Sequence, residues 1–235
     1  WVFVVAVVLV VVGLFAPSVS ATCSSCPGSS CCGSFYGWYD QSSSGCCNSL
    51  PSGVNLKWPI AGGQSLSVGC AYGCGFHSNQ CLGSTQDFCA LDISTSGQDQ
   101  TIRSATSGTV YAKSSSSSGL GNRIVINQGS VFVQYAHMAY ASTLEVGTWV
   151  NQGDVLGTIG QTGNADGNHI HFSVFSSSAV CNSGNACYNG QSVKPEPISG
   201  SWNIAKNNWY TSDNYGGTQP VPPPPPPPPS PPLLW

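Results

Sequence analysis

The sequence predicts a mainly β fold with antiparallel strands, and three observations carry that expectation. Between residues 91 and 175 short runs of Val, Ile, Thr and Tyr are broken by Gly-containing turns, the pattern of closely spaced strands joined tightly. No stretch of the chain shows a helical period. Charged residues make up 6% of the chain, against ~25% in ordinary soluble proteins, too few for the exposed faces of a helix bundle or coiled coil. In chain order, the expected strands are 108–112 (Gly-Thr-Val-Tyr-Ala), 122–127 (Asn-Arg-Ile-Val-Ile-Asn), 131–137 (Val-Phe-Val-Gln-Tyr-Ala-His), 149–150 (Trp-Val), 155–159 (Val-Leu-Gly-Thr-Ile) and 169–174 (His-Ile-His-Phe-Ser-Val). Each is rich in β-branched or aromatic residues and is bounded by turn formers. Residues 89–93 (Cys-Ala-Leu-Asp-Ile) read as an apolar strand with one carboxylate inside it.

The two ends of the 235-residue chain differ from this region. Residues 1–21 are almost wholly apolar and close on Pro17 and the small residues Ser18 to Ala21, which reads as a secretory signal peptide cut near Ala21. With no initiator Met and no basic flank, the chain is expected to begin inside that signal. A membrane anchor is the competing reading, although the apolar run falls short of the ~20 residues of a spanning helix. Residues 219–235 hold the proline run 222–229, which lacks backbone donors and is expected as an extended, semi-rigid polyproline spacer. It resembles the hydroxyproline-rich segments of matrix and wall glycoproteins, and a tail without a partner is the plainer alternative. The expected organisation is therefore a signal (1–21), a small Cys-rich module (22–48), a β domain (57–200), a C-terminal extension (201–218) and a proline-rich tail (219–235).

Six of the 12 cysteines crowd into the head, Cys23 to Cys47, and six are scattered from Cys70 to Cys187. Two even groups in a secreted chain suggest two self-contained disulfide sets, although six cysteines allow 15 pairings. Cys23-x-x-Cys26 would suggest zinc in a cytosolic protein, but an oxidising route favours disulfides. Phe35, Tyr36, Trp38 and Tyr39 in the head offer either a sugar-stacking, wall-binding face or simply the core of a small disulfide knot. The net charge of -3, with six Lys and Arg, excludes a phosphate-binding surface, so no nucleic acid is expected as a partner. The location expected is secreted, in the extracellular space or cell wall, without stable membrane insertion once the signal is removed.

All four histidines, His77, His137, His169 and His171, fall in the β region or at its entrance. His169 and His171 are two apart in an expected strand, so their side chains leave the same face, about 6.5–7 Å apart at their bases. Such a pair can converge on one metal or one substrate, or it can be a partly exposed alternating pair. Asp92 favours the first reading, because a carboxylate in an apolar strand needs a cationic partner and the only arginines are Arg103 and Arg123. Two His and an Asp with a fourth position left for water make a catalytic rather than a structural zinc arrangement.

One ordered set of motifs runs from Lys57 to Ile198: Lys57-Trp-Pro-Ile, Gly75-Phe-His77, Ala90-Leu-Asp92-Ile, Gly108-Thr-Val, Gly121-Asn-Arg-Ile-Val-Ile, Tyr135-Ala-His137-Met, Gly147-x-x-Val150-x-x-Gly153, Gly157-x-x-Gly160-x-Thr-Gly163, His169-Ile-His171-Phe and Val193-Lys-Pro-Glu-Pro. In this the chain resembles the lysostaphin-type zinc metallopeptidases. The resemblance implies an antiparallel β-sheet catalytic domain with one zinc ion held by His77, Asp92 and His171. It also implies a catalytic pair, His137 and His169, that does not bind the metal; spacing alone does not tell His169 from His171. Many members carry His-x-x-x-Asp, whereas here Phe88 stands four residues before Asp92 and His77 fifteen before it. That gap is similar to the staphylolysin and beta-lytic endopeptidase branch.

The activity implied is hydrolysis of short Gly-containing peptide bonds, mainly peptidoglycan cross-links, by water whose pKa zinc lowers towards ~7. Glu145 and Glu196 are the only glutamates and neither stands beside a histidine, so His137 and His169 are the candidate proton carriers. The expected partner is peptidoglycan or another Gly-rich peptide substrate, with wall or matrix association through the head or tail. Two rival readings are a non-catalytic wall- or matrix-binding module with the same fold and a structural matrix glycoprotein. The head is either a binding module or an inhibitory prosegment.

Overall fold

The computed structural model describes Cys47, residues 49–72, His77 and residues 89–96, 99–177 and 192–216. The expected signal, the proline-rich tail, the rest of the Cys-rich head with its four aromatics, and the remainder of the loop between His77 and Asp92 lie outside the described residues. No helix of the described residues is long and apolar enough to cross a membrane.

The fold is mainly antiparallel β. Its strands are β1 (Ser65–Cys70), β2 (Leu91–Thr95), β3 (Thr101–Arg103), β4 (Gly108–Ser114), β5 (Asn122–Asn127), β6 (Val131–Met138), β7 (Trp149–Val150), β8 (Val155–Thr158), β9 (Ile170–Ser176), β10 (Ser192–Val193) and β11 (Trp209–Thr211). Among the described residues they form a nine-stranded sheet in the order β11-β1-β2-β9-β6-β5-β4-β7, with β10 also on β9, and a two-stranded sheet of β3 and β8. The strands expected from sequence appear within a residue or two of their limits, because β-branched runs between glycine turns have few other ways to satisfy their backbone.

One face of the large sheet is the core. Leu66 and Val68 of β1, Leu91 and Ile93 of β2, Ile124 and Ile126 of β5, and Phe172 and Val174 of β9 are all fully buried in it. The small sheet covers this face through Ile102 and Leu156, and the segment before β1 covers it through Leu56, Trp58 and Ile60. Each fully buried side chain of this kind contributes roughly 1.5–3 kcal/mol, so the sheet is held firmly from below. Its other face carries a smaller buried apolar cluster, Ala112, Val125, Phe132 and Phe175, and beyond it polar side chains in register.

One expectation about covalent organisation is corrected. Cys47 is disulfide-bonded to Cys89, 42 positions away, so the two cysteine groups are not self-contained: even numbers in each group said nothing about which thiols folding brings together. Residues 201–216 of the expected C-terminal extension pack on the β domain. β11 pairs with β1, and Asn214 is buried, its Nδ2 donating to the carbonyls of Trp58 (2.9 Å) and Ser104 (3.1 Å). The β domain therefore closes on itself through its last described residues.

Candidate functional site

Strand register builds the site. Asp92 of β2 lies opposite His171 of β9, and Ala136 of β6 lies opposite His171 on the other side. Leu91 and Ile93 point into the core, so alternation sends Asp92 to the opposite face, where it meets His171. A shift of register between Val68 and Cys70 brings Cys70 opposite Asp92. His169 stands just ahead of β9, bridged to Gly160, on the same face as His171. His77 reaches the site from the segment after β1 and is 3% exposed.

His137 arrives by a different route. Alternation from Ala136 would turn its side chain towards the core face with Tyr135. The β5–β6 pairing is irregular between Asn122 and Ile124, and His137 has φ 58, the left-handed region that few residues other than glycine adopt. A bulge of this kind re-aims a side chain: the His137 ring lies 4.8 Å from that of His169 and 5.7 Å from that of His171, between centroids.

Three donor atoms converge. His77 Nε2 is 3.2 Å from His171 Nδ1, His171 Nδ1 is 3.2 Å from Asp92 Oδ1, and His77 Nε2 is 3.4 Å from the same oxygen. Ligand atoms 2.0–2.1 Å from a tetrahedral zinc lie about 3.3–3.4 Å from one another, so these separations match one face of such a tetrahedron. Lone pairs gathered onto one buried point are costly unless a cation or protons occupy it, and two imidazoles with a carboxylate are borderline-soft donors that suit zinc. The residues fit the metal. Burial works to raise the Asp92 carboxyl, but the adjacent imidazoles of His171 and His77 outweigh it and hold the group well below the usual carboxylate range, ready as an oxygen ligand.

Cys70 Sγ also lies within 4.8 Å of the His77 and Asp92 donors. It is disulfide-bonded and so lacks the thiolate that makes cysteine a zinc ligand.

The two other histidines are oriented by backbone carbonyls. His137 Nδ1 is 2.7 Å from the Thr162 carbonyl, and His169 Nδ1 is 2.8 Å from that of Gly167. A carbonyl only accepts, so both Nδ1 atoms carry a proton and both rings turn Nε2 away from those carbonyls. His169 Nε2 lies 3.6 Å from Asp92 Oδ1, which places it beside the three donors. Burial, the largest influence, and the neighbouring histidines lower the His137 imidazole to about 4 against the pull of Thr162 and Asp92.

Thr162 and Gly167 had no functional role in the sequence reading, although the motif Gly157-x-x-Gly160-x-Thr-Gly163 was visible. The Thr162 hydroxyl donates to the Met138 carbonyl (2.7 Å) and accepts from the Asn122 N–H (2.9 Å), which ties its turn to the bulge. Gly121 and Gly163 both have positive φ, and a Cβ on Gly163 would meet the backbone of Gly119 and Gly121. Only glycine lets these two turns close on each other.

Residues 89–195 match the protein family described as Peptidase family M23. Among solved structures, a mutant catalytic domain of the prophage-encoded M23 protein EnpA from Enterococcus faecalis is 21% identical, over 66% of this chain and 98% of that one, with a TM-score of 0.42. The catalytic domain of lysostaphin from Staphylococcus simulans is 23% identical, over 48% of this chain and 80% of that one, with a TM-score of 0.36. A chain of the SpoIIQ–SpoIIIAH pore-forming complex is 21% identical, over 52% of this chain and 84% of that one, with a TM-score of 0.41.

Proposed function

From the premise that residues 89–195 are a peptidase family M23 domain, we propose that the protein is a secreted zinc metalloendopeptidase that hydrolyses short Gly-containing peptide bonds, with peptidoglycan cross-links as the substrate. The observation that carries this reading is the triangle of His77 Nε2, Asp92 Oδ1 and His171 Nδ1, with sides of 3.2–3.4 Å.

His77, Asp92 and His171 would hold the one metal ion. When bound, zinc supplies Lewis acidity and makes water nucleophilic near neutral pH. The chain's own residues manage the protons and the geometry. His137 is neutral at pH 7 and its Nε2 lone pair is free, because Nδ1–H is committed to Thr162. It can therefore accept a proton at Nε2 as the bond is attacked and return one to the leaving amine. His169, locked in the same tautomer by Gly167, offers the second Nε2 beside the cluster. Once protonated, either imidazole can donate a hydrogen bond to the developing oxyanion. With His77 and His171 buried at their backs, both rings work in a site where such bonds are stronger than in water.

Digestion of purified peptidoglycan by the zinc-loaded protein, with mass spectrometry to locate the cut, tests the proposal. Release of fragments with new termini at Gly is expected. Binding to the polymer without any new terminus would replace the enzyme with a wall-binding module of the same fold.

A further inference from the structure

The face that carries Asp92 and His171 continues outward, past the site, to the edge of the sheet. Leu66 and Val68 point into the core, so Ser65 and Ser67 of β1 point to the site face. Ser67 pairs with Ser94 of β2 on one side and with Trp209 of β11 on the other, and Ser65 pairs with Thr211. Tyr210 packs against Trp58 below the sheet, with ring centroids 4.9 Å apart, which fixes Trp209 and Thr211 on the upper face. Ser94 is two residues from Asp92, and its hydroxyl donates to the carbonyl of Asn168, the neighbour of His169. Ser94, Ser67 and Trp209 thus form a row leading away from the histidines. With strands ~4.8 Å apart, it ends about 14 Å from β9.

We propose that this row is a subsite for a neutral saccharide ring carried by the substrate, an inference that rests on the peptidase reading above. The five side chains on it, Ser65, Ser67, Ser94, Thr211 and Trp209, comprise four hydroxyls and one indole and carry no charge. A charged peptide terminus would find no counter-ion on them, and an acyl chain would meet hydroxyls. A pyranose suits the row on both counts: its C–H face stacks on an indole, and its hydroxyl rim exchanges hydrogen bonds with Ser and Thr, which donate and accept. Trp209 is 61% exposed, so its indole does not serve the core; Tyr210 and the β1 ladder hold β11 in place. The row is continuous with the site, so a substrate lying across His169 passes over Ser94 before it reaches the indole. Ser65, Ser67, Trp209 and Thr211 all lie outside residues 89–195, which makes the subsite an addition to the matched domain.

The test compares kcat/KM of the zinc-loaded full chain on a muropeptide dimer bearing its sugars and on the same cross-linked peptide freed of them. Wild type is expected to prefer the glycosylated form. Trp209→Ala should lower the ratio of the two kcat/KM values roughly tenfold, the scale of removing an aromatic anchor, mainly through KM. Trp209→Phe should retain most of the preference, and Trp149→Ala, at the far edge of the sheet on β7, should leave the ratio unchanged. Equal ratios in wild type and Trp209→Ala would overturn the subsite. So would sedimentation showing a wild-type dimer that Trp209→Ala dissociates, because the indole would then serve self-association. If wild type cleaves neither substrate, the peptidase reading fails on its own. Calorimetric titration with tri-N-acetylchitotriose then decides the subsite: heat in wild type that Trp209→Ala abolishes supports it, and no heat in wild type overturns it.

Discussion

Asp92 bears on the site more than any other side chain, since His77, His169 and His171 all come within 3.6 Å of its Oδ1. Replacing it with alanine removes the proposed oxygen ligand and leaves two imidazoles, which would hold zinc weakly. Asp92→Ala is therefore expected to lose most of its metal after dialysis. Full zinc occupancy by elemental analysis in both Asp92→Ala and His171→Ala would sink the assignment. His137 differs in kind, being fastened to the Thr162 carbonyl and not among the three converging donors. His137→Ala should keep its zinc while kcat falls by about 10²–10⁴, the usual worth of a positioned acid or base; turnover near that of wild type would remove the proton carrier from the mechanism. Asp92 was legible in the sequence because a carboxylate between Leu91 and Ile93 is conspicuous. The different placement of His169 and His171 was not, since spacing puts both on one face. It emerges from register, which sets His171 opposite Asp92, and from the Gly167 carbonyl, which ties His169 the other way round.

Among the elements, β6 shows where pattern reading stops. Its alternation from Val131 to Ala136 was plain, and continued by one residue it would have turned His137 to the core side. The bulge that prevents this depends on Asn122 and Thr162, which lie 15 residues before His137 and 25 after it; no local period encodes such a contact. β1, β3, β10 and β11 were missed as well: the last three hold only two or three residues and cannot display a period of two, whereas β1 does alternate, with Leu66 and Val68 buried, and lies before the stretch read as strands. The 157–163 turn acts as a strap over β6, and Gly163, with φ 75, has no space there for a Cβ. Gly163→Ala is expected to cost more than the ~1 kcal/mol of an ordinary Gly to Ala change at positive φ. It should shift the Thr162 carbonyl away from His137 and lower kcat by tenfold or more with zinc content unchanged. Thermal melting, metal analysis and kcat on a Gly-containing peptide check this together, and unchanged kcat in a folded variant would show that the strap does not position the histidine.

At the scale of the whole molecule, composition announced the fold class: few charges and many glycines leave a turn-rich sheet as the economical way to bury the core. Covalent organisation was hidden, because a disulfide depends on which sulfurs folding brings together and the spacing of cysteines is blind to that. Cys47–Cys89 matters to function, since Cys89 is fully buried three residues before Asp92 and Cys47 packs against the core. A chain starting at Asn48 would lose the bridge and leave the Cys89 thiol buried beside the strand that carries a proposed ligand, whereas one starting at Cys47 keeps it. Closing a loop of this length contributes about 2–4 kcal/mol, and in a domain of this size each kcal/mol moves Tm by roughly 2–4 °C. The chain starting at Cys47 should therefore melt ~5–15 °C above the chain starting at Asn48, hold zinc more tightly in competition with a chelator, and lose both advantages in dithiothreitol. Equal melting temperatures and equal zinc retention under oxidising conditions would mean that the bridge adds nothing to the β domain, and the head would again be a module that can be removed without consequence for the site.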